Sequence, residues 1–327
     1  MGLSDGALGR YMEDDARFAD LLNGYFFHGR QIVKAEDIKE RDPRVSGKSK
    51  RKSVQRKLKT IYYQKTRDIV RRVIYGIGVS VVGLEYQAMI HYGMPVRTMI
   101  EDSLEYGRQF SEIQRRHRNA QDLKKPAEYV GQFSVEDRLI PATSIVLYFG
   151  KEEWDGPRDL LDVLKMEGIP DEIRSMIHGY PLNLLEVRKF KSIDYFVTDL
   201  REVFGIIQNS DEPEQMKKFA KENEERLSNL AEDAFDVISA ITGNEELIER
   251  KGELMKGERV NLGKVWKDWS DEERKKGEKE KAKTVAGNAF RLGIEVEKVA
   301  ALCEESVENV KEWFQEWDFA RANVSDE

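Results

Sequence analysis

Residues 68–87 run Asp68-Ile69-Val70-Arg71-Arg72-Val73-Ile74-Tyr75-Gly76-Ile77-Gly78-Val79-Ser80-Val81-Val82-Gly83-Leu84-Glu85-Tyr86-Gln87, or DIVRRVIYGIGVSVVGLEYQ. β-Branched and aromatic residues crowd both halves, and such side chains suit a pleated, half-buried surface. Gly76 and Gly78 offer a turn between the halves. The expectation is an antiparallel hairpin in which 68–75 pairs with 79–87. Side chains alternate along a strand, so Glu85 and Gln87 point one way and Tyr86 the other. Asp68 then arrives at the end of the hairpin that carries Glu85. An unpaired charge closing so apolar a strand is costly, so the acids need a partner.

Two carboxylates converging at a strand end suit a hard, oxygen-seeking cation, and Mg²⁺ commonly takes one or two carboxylates and keeps several waters. Such an ion polarises a phosphoryl oxygen and acidifies a bound water. Gln87 is no general base, but its amide can orient a water or a phosphate. The plainer alternative is a polar strand end with no chemistry. Weighing against it, the most basic part of the chain leads straight into Asp68: from Arg44 to Arg72 there are twelve Lys or Arg and one acid. Such a stretch can hold a polyanion through its phosphates without reading sequence. Lys48, Lys50, Arg51, Lys52, Arg56 and Lys57 are the candidate DNA contacts, with Arg97, ten positions after Gln87, as a further phosphate ligand. A solvated loop with no partner is the other reading of 43–60, which its polarity and Gly/Ser content mark as mobile.

Around the hairpin the pattern is mixed α/β. Helices are expected over 11–27, 94–118, 156–164 and 194–208, with strands over 139–150 and 182–187 and a short strand over 30–38. From about 212 the chain turns helical and charged, with a long helix ending at Gly243 and another over 264–286. Short helices then flank Gly293 and Glu305-Ser306, a helical hairpin whose acidic last helix is poorly suited to phosphates. Trp266, Trp269, Trp313 and Trp317 suit helix packing. The division expected is 1–245 for the α/β domain and 246–327 for the helical tail.

The segments RDIV (67–70), GLEYQAMIHYGMPVR (83–97) and LIPATSIVLYFG (139–150) resemble the recombination-promoting nuclease/transposase family. RFADLLNGYFFHGRQIV and EEWDGPRDLLDVL fit the same group, and the likeness spans most of 11–245. That family belongs to the PD-(D/E)XK nuclease superfamily, in a branch where Glu-x-Gln replaces Glu-x-Lys. The resemblance implies a restriction-endonuclease-like mixed sheet flanked by helices and a Mg²⁺-dependent DNA endonuclease linked to recombination or transposition. It implies that Asp68 and Glu85 are metal ligands, joined by the Tyr86 carbonyl, and that Gln87 stands where a lysine positions the attacking water. Asp20, on the first helix, takes the place of an auxiliary acid. The alternative is a nuclease fold that has lost activity and serves DNA binding or protein assembly.

Composition sets the remaining bounds. The 327 residues carry a net charge of −7, with 35% charged and 40% hydrophobic side chains, as in globular proteins with charged surfaces. No 18-residue apolar run or secretory signal is seen, so no membrane partner is expected. Cys303 is the single cysteine, which excludes an internal disulfide and fits a cytoplasmic setting. His28, His91, His117 and His178 lack zinc-site spacing, which leaves them surface or packing roles. Double-strand cleavage by a single-site enzyme favours a homodimer.

Overall fold

The computed structural model describes residues 3–41, 44–52, 58–66 and 68–324, and within 44–66 only the backbone. It divides into two units, Met1–Asn261 and Leu262–Glu327.

The first unit opens with α1 (Leu3–Met12) and α2 (Asp15–Tyr25), then a 3₁₀ turn and β1 (Ile38–Glu40). Asp14 ends the expected single helix over 11–27. Its backbone is extended and its carboxylate accepts the Arg17 N–H at 2.9 Å, which caps a new helix. β2 (Arg44–Lys52) and β3 (Leu58–Thr66) follow, then β4 (Ile69–Tyr75), β5 (Gly78–Gln87), α3 (Met94–Ala120), α4 (Pro126–Gly131) and β6 (Ala142–Tyr148). The later elements are α5 (Asp171–Arg174), β7 (Asn183–Glu186), α6 (Leu200–Asn209), α7 (Pro213–Glu222), α8 (Glu224–Leu227), β8 (Leu230–Ala231), α9 (Glu232–Thr242) and α10 (Glu245–Leu254). β9 (Met255–Lys256) and β10 (Arg259–Val260) close the unit, β10 pairing with β8 and β9.

A five-stranded mixed sheet in the order β1-β4-β5-β6-β7 forms the centre. β4 and β5 make the expected hairpin, with Ile69 opposite Leu84 and Tyr75 opposite Gly78. Gly76, at φ +60°, takes the left-handed conformation that the tight turn needs. β5, β6 and β7 run parallel, and α3 is the crossover between the first two. Both faces of β5 are covered, so residues 81–86 are all buried and read as one apolar run. Val70, Val81 and Ala142 pack with Tyr106 of α3, whereas Tyr86 turns to the opposite side, where Leu8 lies.

Further expectations are corrected. The short strand placed over 30–38 begins only at Ile38, after a 3₁₀ turn over Ala35–Asp37. The described residues of the basic segment 43–60 are strand and not loop: β2 and β3 are nine-residue strands pairing from Arg44 opposite Thr66 to Lys52 opposite Leu58. The β-favouring Ile61, Tyr62 and Tyr63 prevail over the Gly/Ser and charge content. Residues 156–164 give only a 3₁₀ turn, Leu160–Val163, capped by Asp159. The long helix before Gly243 is broken at Asn223 and by β8. Its end is as expected, with Gly243 at φ +65°.

α2 lies close to the 196–198 turn that precedes α6. A Cβ at Gly24 would come 2.1 Å from the Phe196 ring, so no side chain is accommodated there as packed. In the second unit α11 (Leu262–Arg291), α12 (Val296–Cys303) and α13 (Val307–Val324) gather Ala286, Val299, Val310 and Trp313 into a core. Trp317 packs on Phe290 and Phe314, so these two tryptophans have the packing role expected of them. The Trp269 side chain lies outside the described residues.

Candidate functional site

Pairing of β4 with β5 brings Asp68 to the end of β5, where its Oδ2 accepts the Tyr86 N–H at 2.8 Å. Glu85 faces α3, as alternation requires, and is wholly buried. Its Oε2 accepts from Arg97 Nη2 at 2.5 Å, and Arg97 Nε donates to Glu101 Oε1 at 3.1 Å. One guanidinium therefore bridges two buried acids. Glu85 Oε1 and Glu101 Oε2 are also buried and have no donor in the structure. A proton between the acids or a cation is what can satisfy them. Burial first, then neighbouring Glu101, push the Glu85 carboxyl up to about 9 against the pull of Arg97, with Asp68 adding to the rise.

The other expected site residues divide. Tyr86 is held by its amide on Asp68, and its buried ring has a phenol raised by burial and then by Asp68. Gln87 closes β5 half-buried, its carbonyl accepting the Phe149 N–H at 2.9 Å. Arg97 is engaged with Glu85 and Glu101, so a phosphate would have to compete with them. Asp20 is buried and accepts from Val197 N–H at 3.0 Å, Thr198 N–H at 2.8 Å and the Thr198 hydroxyl at 2.6 Å. Those bonds shape the turn before α6. Lys48, Lys50, Arg51 and Lys52 lie on β2, which runs beside α3, and their side chains are not described; Arg56 and Lys57 lie outside the described residues.

Glu101 is the residue that the strand motif conceals. Met94, Thr98, Glu101, Asp102, Glu105 and Gln109 are all buried on α3, at spacings of one helix face. A polar stripe at that period, opposite a sheet, is the signal that finds it. Its neighbours are differently matched: Asp102 accepts from Ser144 at 3.0 Å and Tyr180 at 2.5 Å, and Glu105 from Arg41 at 2.7 Å. Among the described residues no group of three or more His, Cys, Asp or Glu is disposed to hold a metal. Among them, too, no helix is long and apolar enough to cross a membrane. No family model, curated protein or solved structure matches this chain.

Proposed function

We propose that this chain is a metal-dependent DNA endonuclease, hydrolysing phosphodiester bonds in recombination or transposition, on a PD-(D/E)XK restriction-endonuclease-like fold. The observation that carries the reading is Asp68, anchored on the Tyr86 amide, beside buried Glu85 with one carboxylate oxygen unmatched. The donor set suits Mg²⁺: hard oxygens and an orphaned buried acid at a strand end. Asp68, Glu85 and the Tyr86 carbonyl would hold it, and the ion when bound would polarise a phosphoryl oxygen and acidify water. Gln87 orients the attacking water, and the basic strands β2 and β3 grip the DNA backbone. The protein works in the cytoplasm, as a homodimer when both strands are cut.

Asp68→Ala and Glu85→Ala are each expected to abolish plasmid nicking in Mg²⁺ while DNA retention persists. Single variants that cut like the parent would remove the site assignment. A second reading, an inactive DNA-binding or assembly module, is favoured by Arg97, which already supplies Glu85 with a cation. It expects salt-sensitive DNA retention, no cleavage in any divalent ion, and no rise in Tm with Mn²⁺.

A further inference from the structure

A cavity of about 220 Å³ opens at the carboxyl ends of the parallel strands β5 and β6, lined by Tyr86, Gln87, Phe149, Lys151, Arg188 and Ile241, among others. Leu8 of α1 and Ala240 of α9 complete an apolar wall. Carboxyl ends of parallel strands are where open α/β sheets take their ligands. A cavity of about 150 Å³ is enough for a benzene ring, so this one takes a single ring system and not a whole nucleotide.

Its chemistry is two-sided. The wall of Leu8, Phe149, Ala240 and Ile241 suits the faces of a flat ring. Gln87 contributes to the lining where β5 ends. The Tyr86 ring adds aromatic surface to the lining. Two cations flank the cavity: Lys151 is 2.5 Å from Asp211, and Arg188 is 2.8 Å from the same acid. One carboxylate between two cations leaves a net positive charge. Arg188 is fixed by the carbonyls of Phe149 and Ile207, whereas Lys151 is mostly exposed and can turn to a new anion.

We infer that this cavity is a nucleobase pocket, taking one unstacked base of a single-stranded or locally opened strand with its phosphate on Lys151. The inference rests on the nuclease reading above and adds the substrate form: a base must leave its stack to enter, and a mismatched or single-stranded base does so most easily.

The test uses the full chain in EDTA, with deoxynucleoside monophosphates and the matching nucleosides as probes in calorimetric titrations. A monophosphate is expected to bind, and Ala240→Phe, which fills the cavity, to weaken it about tenfold or more. Should that variant fail to fold, Lys151→Glu decides: it is expected to weaken the monophosphate severalfold and leave the nucleoside unchanged. No binding at millimolar probe, or equal loss for both probes with Lys151→Glu, overturns the pocket. Asp68→Asn separates the two readings. It is expected to keep nucleotide binding while cleavage is lost. Binding without cleavage by the parent in any divalent ion sinks the catalytic reading alone, and cleavage without nucleotide binding sinks the pocket alone.

Discussion

The two ends of α3 carry charge clusters built on opposite terms. Near its C-terminus, buried His117 binds Asp122 through Nδ1 at 2.6 Å and Asp137 through Nε2 at 2.7 Å. Asp137 also accepts from Arg116 at 2.5 Å and from the Ser134 N–H at 2.7 Å, so the acid that clamps the ring is itself matched. Near the N-terminus Arg97 serves two buried acids at once and leaves an oxygen of each without a donor. One cluster is finished and the other is not. Structural ion pairs close on themselves, because an unmatched buried group costs more than a pair contributes. Where the oxygens of Glu85 and Glu101 lack donors, a shared proton or a cation would complete the cluster.

The contrast can be broken most directly at Arg97. Arg97→Ala leaves two buried acids without their only described cation and is expected to cost about 3 kcal/mol in denaturant unfolding. Added Mn²⁺ should recover part of that loss if Asp68 and Glu85 bind metal, and none if the guanidinium is simply structural. Asp20 comes next. Asp20→Ala removes the acceptor of two amides and a hydroxyl and should cost about 1–3 kcal/mol. A variant that keeps its stability and loses cleavage would make Asp20 an auxiliary acid after all.

The smallest effect belongs to the finished cluster and depends on pH. Hydrogen bonds to Asp122, then Asp137, raise the His117 pKa against the opposing effect of burial. A histidine whose folded pKa exceeds its unfolded one stabilises fully below the unfolded value, about 6.5, and loses this as pH climbs through the folded value. His117→Ala should therefore lower Tm by a few degrees at pH 5.5 and by less at pH 9. A pH-independent difference would mean that the ring acts by packing.

Much of the site was open to reading in the sequence. Alternation along 79–87 put Glu85 and Tyr86 on opposite faces, and the glycines at 76 and 78 set the hairpin that brings Asp68 alongside. What escaped was the other side of the cluster. Arg97 reads as a phosphate ligand because it follows Gln87 by ten positions; its acids are Glu85, on the strand that leads into α3, and Glu101, one turn on. The strands at 44–66 were hidden by their lysines and arginines, which look like solvent-seeking loop until they are paired in a two-stranded ribbon. His117 looked isolated because its acids stand five and twenty positions away, the second held by a turn that no helical period reveals.

Gly24 has a consequence of its own. It lies one helical turn from Asp20, so α2 meets the 196–198 segment twice, once by the absence of a side chain and once by a carboxylate. Any bulk added at 24 must push Phe196 outward and drag against the amides that Asp20 grips. The two contacts work like the jaws of a calliper set on one width: the helix and the start of α6 move together or not at all.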